Sequence, residues 1–259
     1  MISYDVALAQ FEIFILILMR MASFIFVAPF FNTANTPRRS KVALAFFLTV
    51  LIYSLNTDVV IEYDGIFEYV AIVLKEVVVG LILGVMTSFC VQIIMFAGKI
   101  IDLDVGLAMA QIFDPTTHMQ VGILGNFYYY ILLLLLMVSG MHHYLIEAIF
   151  ETYKVIPIGK LTLSPSIYET VVGFMSDYFI IGFRIALPVF AATLILNVIL
   201  AILARVAPQM NMFVVGMQLK IFVGLFAILL TIVLMPMVST LIENEIKSIM
   251  AKLVRGMSP

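Results

Sequence analysis

The side chains able to do chemistry are few in this chain. There are three histidines, His118, His142 and His143, and one cysteine, Cys90. His142 and His143 are adjacent, and adjacent residues on a helix point to different sides, so they are not placed to grip one metal ion as an i, i+4 pair would. One cysteine excludes an intramolecular disulfide and any multi-cysteine metal site, and Cys90 reads as a small buried hydrophobe. There is no P-loop, no G-x-S-x-G elbow and no H-E-x-x-H motif. No carboxylate pair recurs at helical spacing inside an apolar block, as a proton relay would require. The chain is expected to be no enzyme and to need no metal or cofactor.

The informative polar residues are charges set in apolar surroundings. Arg20 lies in the first apolar block, Lys75 and Glu76 in the third, Arg184 in the fifth and Lys220 in the sixth. A central Arg or Lys costs about 2.5–3.5 kcal/mol on insertion scales, so these residues face protein or water rather than lipid. Each reads singly as a snorkelling or paired structural charge. Together they favour a large protein–protein surface.

A second polar feature is the stretch 97–122, A-G-K-I-I-D-L-D-V-G-L-A-M-A-Q-I-F-D-P-T-T-H-M-Q-V-G. It is too polar for lipid and too apolar for a solvated loop. Pro115 disfavours helix at Asp114. The stretch is expected to be non-helical backbone held at membrane depth inside an assembly, where it lines a cavity.

The elements that must position these residues follow from composition. The chain has 259 residues, 64% hydrophobic and 12% charged, against about 25% charged in soluble domains. Lipid or partner proteins must cover that apolar surface. A net charge of -2 gives no case for nucleic acid. With no Trp, Tyr and Phe must serve at the lipid interfaces. The first residues carry Asp5 and Glu12 rather than positive charge, and no small-residue cleavage site follows, so a removed signal peptide is not expected.

Six apolar blocks can be drawn, at 11–31, 42–55, 69–97, 121–148, 171–204 and 212–241. The second is short enough for a core or re-entrant helix. The fifth would reach roughly 50 Å as one helix, against a hydrocarbon core of about 30 Å. Pro188 should kink it, and Pro236 should disturb the end of the sixth. The short connection from Arg205 to Asn211 makes a tight turn, so the C-terminal third reads as one long bent helical hairpin. Loop charges conflict over topology. Arg38, Arg39 and Lys41 put the loop 32–41 inside and the N-terminus outside, whereas Lys247, Lys252 and Arg255 argue for an inside C-terminus that six spans would not give. Several blocks are therefore read as hairpins that pack on protein and turn back. A small-solute transporter would predict internal repeats around a midplane site, and none is visible; a membrane enzyme would need a polar constellation, and none stands out.

The run 97–110, Asp114-Pro115, Ile156-Pro157-Ile158-Gly159, Ala186-Leu187-Pro188 and Ala204-Arg205-Val206-Ala207-Pro208-Gln209-Met210-Asn211 resembles the FliR family of flagellar export-gate proteins. Arg20 with Ala28-Pro29-Phe30-Phe31 fits as well. Injectisome relatives share the pattern but tend to carry Arg before the central glycine, where this chain has Val105 before Gly106, which favours the flagellar branch. The resemblance implies an all-α, membrane-associated protein of long kinked helical hairpins, in the bacterial cytoplasmic membrane at the flagellar basal body. It implies a FliP-like part over 1–170 and a FliQ-like long hairpin over 171–259. Implied partners are FliP-like and FliQ-like gate subunits, an FlhB-like switch protein and exported flagellar proteins. The family's central loop plugs the pore; carried over, the plug falls on about 110–122, with Met109, Phe113, Asp114, Pro115 and Met119 as its sealing and turning residues. Gly98, Gly106 and Gly122 are the expected hinge or close-packing positions. Arg20, Lys75, Glu76, Arg184, Arg205 and Lys220 are the expected intersubunit charges.

Overall fold

The computed structural model describes residues 4–33, 36–55, 61, 63–107, 122–209 and 211–259. These form eight α-helices and their connections, with no strand among the described residues. They are α1 (Tyr4–Val27), α2 (Arg38–Leu55), α3 (Ile66–Val105), α4 (Ile123–Val138), α5 (Met141–Val155), α6 (Ser166–Val206), α7 (Met212–Ile232) and α8 (Met235–Met257). α1, α3, α6 and α7 are each long and apolar enough to cross a membrane, and α4 with α5 taken together make a fifth candidate. α3 and α6 have 40 and 41 residues. At 1.5 Å per residue each is about 60 Å long, twice the hydrocarbon thickness.

Two expectations from sequence are corrected, and the fourth block, for which no number of helices was expected, divides. The backbone stays helical from 97 through Val105 instead of leaving the helix at 97. The fourth block is two helices, broken at Ser139-Gly140, where Gly140 adopts a left-handed φ of 79°. The C-terminal third is three helices rather than one hairpin, because the sixth block breaks at Val233-Leu234 and Pro236 falls in the first turn of α8. Proline is tolerated there, since early helical N–H groups have no intrahelical partner.

The helices sort into two compact units that interleave along the sequence. The first takes residues 1–90, 140–174 and 244–259. In it α1 packs on α3 through Gly80 and Gly84, whose missing side chains admit the α1 backbone at Arg20 and Phe24. Small residues four apart allow such close helix contacts inside membranes. Phe14 of α1 stacks edge-on with Phe46 and Tyr53 of α2, centroids 5.6 and 5.9 Å apart. Leu145, Ile149, Ile246 and Leu253 fill the core between α5 and the end of α8, and the connection before α6 pairs with that end, Ser164 N–H donating to Gly256 O at 3.1 Å.

The second unit takes residues 91–139 and 175–243. Its buried residues include Ile94, Ile101, Leu132, Leu136 and Val189. α6 and α7 run antiparallel, with Leu200 seated on Gly216. Their remaining faces expose large apolar side chains, among them Phe183, Leu187, Leu194, Phe222, Phe226 and Leu230.

Candidate functional site: a clamp at the base of the central segment

Residues 108–121 lie outside the described residues, and with them Met109, Phe113, Asp114, Pro115, Met119 and His118. The structure does describe the two ends of that segment, and both belong to the second unit. α3 stops at Gly106, whose φ of 89° is the left-handed geometry that ends helices. The chain returns at Gly122, which occupies the N-cap of α4 and has no side chain with which to cap it. The first N–H groups of a helix lack intrahelical partners. Here Asp102, one turn before the end of α3, supplies the cap instead. Its carboxylate accepts from Leu124 N–H at 3.2 Å, with a longer contact of 3.5 Å from Gly125 N–H. A negative charge is also favoured at a helix N-terminus.

Glycines make this approach possible. A Cβ on Gly122 would overlap the Asp102 carboxylate, and a Cβ on Gly98 would overlap the Cα and N of Gly125. α3 and α4 thus touch backbone to backbone at the base of the central segment. Two further elements hold the end of α3. Thr193 of α6 donates its hydroxyl to Asp104, and the fully buried Val105 fills the space left open at Gly224 of α7. Of the three expected close-packing glycines, Gly98 and Gly122 sit at tight contacts, whereas Gly106 faces open space and serves through its backbone angle. Asp102, Asp104 and Thr193 had no assigned role in the sequence, although the two aspartates stand inside the quoted run.

A second polar cluster lies in the first unit. Arg20 and Glu76, expected to meet partner subunits, are fully buried and meet each other. This corrects the expectation: the charge of each is answered inside the chain. All five guanidinium N–H donors are used. Nε and Nη2 reach the two Glu76 oxygens at 2.6 and 3.1 Å; Nη1 reaches Thr152 Oγ1 at 3.3 Å; Nη1 and Nη2 both reach Ile156 O at 3.1 Å. The guanidinium lies 4.3 Å from the Tyr153 ring centroid. Gly159 N–H donates to Glu76 at 2.8 Å. The Ile156-Pro157-Ile158-Gly159 motif therefore wraps the ion pair, its first carbonyl on the cation and its last N–H on the anion.

The other expected charges are not brought together. Lys75, Arg184 and Arg205 are exposed and Lys220 is half-buried, and none makes an ion pair among the described residues. Cys90 is buried, as read from sequence. His142 and His143 depart from expectation: their rings meet at a tilt of 41° with centroids 3.9 Å apart, despite adjacency on α5. Among the described residues no three His, Cys, Asp or Glu side chains gather closely enough to hold a metal.

Fold and site together define an all-helical membrane protein with a central segment clamped at both ends. The chain belongs to the bacterial export proteins, family 1, whose pattern matches residues 11–247. It is 30% identical to the flagellar biosynthetic protein FliR of Bacillus subtilis over 90% of each chain. It is 30% identical to FliR of Escherichia coli, covering 92% of this chain and 90% of that one. It is also 27% identical to the surface presentation of antigens protein SpaR of Shigella sonnei, over 81% of this chain and 80% of that one.

Proposed function

We propose that this chain is a non-enzymatic subunit of the flagellar type III protein export gate. It forms the pore with FliP-like and FliQ-like subunits beside an FlhB-like switch protein, and passes unfolded flagellar proteins across the bacterial cytoplasmic membrane. The observation that carries the reading is the clamp: Asp102, Gly98 and Gly125 fix the two ends of the segment between Gly106 and Gly122 at one base. A segment of that length can reach about 25 Å from its base at full extension. In this reading it plugs the pore, with Met109, Phe113 and Met119 as the apolar seal and Asp114-Pro115 as the turn. Such a seal must exclude ions yet leave when substrate arrives, which suits adaptable Met side chains.

The division into a FliP-like part over 1–170 and a FliQ-like part over 171–259 belongs to this proposal. So does the assignment of Lys75, Arg205 and Lys220 to partner subunits, which their lack of an ion pair among the described residues supports. The relatives named FliR, and Val105 before Gly106, favour the flagellar branch over the injectisome branch that SpaR represents. Affinity purification of the tagged chain from its own membranes tests the assignment. FliP-like and FliQ-like proteins should co-purify with it. A well-behaved monomer that transports a small solute in liposomes would overturn the reading.

A further inference from the structure

Arg184, which makes no ion pair among the described residues, lines a cavity in the second unit. The cavity has a volume of about 230 Å³ and lies between α4, α6 and the break that separates α7 from α8. Its walls include Ile185, Pro188, Met235, Val238 and Leu241, with Met237 and Leu234 exposed at the rim. Two hydroxyls also line it, and they are already engaged. Tyr128 and Thr231 share a hydrogen bond of 2.7 Å, and Thr231 donates to Ile228 O. With the Thr231 proton on that carbonyl, the Tyr128 proton goes to Thr231, and neither hydroxyl keeps a donor for a ligand. The cavity thus offers one guanidinium and otherwise apolar walls. A small free anion would want several donors, so the lining suits an anion that carries an apolar tail.

Two further observations say which amphiphile. Residues 185–204 of α6 carry no charge, and Arg184 and Arg205 bracket them. Twenty helical residues span about 30 Å, the thickness of a bilayer's hydrocarbon core. Arg184 therefore stands one residue beyond a membrane-length stretch, at the level where headgroups lie. The cavity is also narrow. A cavity of about 150 Å³ holds benzene, so 230 Å³ takes a length of acyl chain but not a helix about 10 Å across.

We propose that this cavity is a phospholipid site: Arg184 binds the headgroup phosphate, and the apolar walls below it take an acyl chain. Guanidinium and phosphate match in a forked, charge-assisted geometry, and basic pockets between membrane helices are suited to lipid headgroups. The site stands independently of the plug, since it rests only on α4, α6, α7 and α8.

The test is made on the full chain in its assembled complex. A photo-reactive benzoylphenylalanine at Met237 should, on illumination in native membranes, give an adduct carrying lipid phosphorus. An adduct with a second polypeptide would overturn the proposal by assigning the cavity to a partner side chain, and an adduct with no phosphorus label would overturn it too. In purified complex supplied with phosphatidylglycerol, native mass spectrometry should show retention falling about tenfold or more in Arg184→Gln, the loss of one charge-assisted contact, with Arg184→Lys intermediate. Unchanged retention in Arg184→Gln overturns the site. Inorganic phosphate in large excess should not displace the lipid; displacement would mark a free-anion site instead. If Arg184→Gln fails to assemble, the adduct formed at Met237, with Arg184 intact, decides alone.

Discussion

Arg20 and Glu76 stand 56 positions apart and meet through two hydrogen bonds, 2.6 and 3.1 Å, with neither side chain exposed. The pair ties α1 to α3 and, through Thr152, Ile156 and Gly159, to the end of α5 and the turn after it. A buried ion pair repays its desolvation only when the remaining donors and acceptors are also satisfied. Here the whole guanidinium is satisfied, which is why the pair is tolerated in an apolar core.

Breaking the pair from one side should therefore cost more than removing it. Arg20→Met strands Glu76, and Glu76→Gln removes the charge that answers Arg20; losses of about 3–5 kcal/mol are expected when one partner of a buried pair goes. The double variant Arg20→Met/Glu76→Met should recover part of the loss, not all of it, because Ile156 O and Gly159 N–H stay unpaired. Thermal unfolding of the purified complex and the cellular level of the chain measure this. A double variant no better than the worse single variant would contradict the account.

Much of the architecture was legible in the residues. The apolar blocks gave the all-helical membrane class, and their odd lengths gave the long α6 and the turn before α7. The helical reach of α3 was not legible. Asp102 and Asp104 look like loop residues in sequence, yet each is satisfied by another helix while its own backbone stays helical. The Arg20–Glu76 pair was hidden because nothing local links positions so far apart, and Lys75 beside Glu76 suggested a different balance of charge. The break at Ser139-Gly140 did have a local signal, a glycine inside an apolar run, which the length of the block obscured. The residues that bracket the central segment could be quoted from sequence, but their roles depend on α4, α6 and α7 converging on one place.

The Asp102 cap should matter more than its neighbour on the same turn. Asp102→Ala leaves the Leu124 and Gly125 N–H groups without their partner, and a buried donor left unsatisfied costs about 1–3 kcal/mol. Loosening the base of the central segment should raise ion leakage through the gate. Leu103→Ala, at a side chain 69% exposed, should leave both stability and leakage unchanged. Equal behaviour of the two variants in a conductance assay would remove the clamp from the account.

Glycine substitutions provide a matched comparison. Gly98→Ala would drive a methyl group into the Gly125 backbone and should separate α3 from α4, lowering the level of assembled complex severalfold. Gly173→Ala meets nothing within 4 Å on α6. It should be neutral, or stabilising by up to about 1 kcal/mol through helix propensity. Blue-native electrophoresis of the two variants reads the difference directly.

The central claim is that the segment between the clamped ends closes the pore. Deleting residues 111–117 removes Phe113, Asp114 and Pro115 while leaving Asp102, Gly98, Gly122 and Gly125 in place. Membrane conductance of cells expressing that variant gate is the direct measurement. The account predicts a gate that assembles normally and leaks ions. Unchanged conductance in a correctly assembled gate would contradict it.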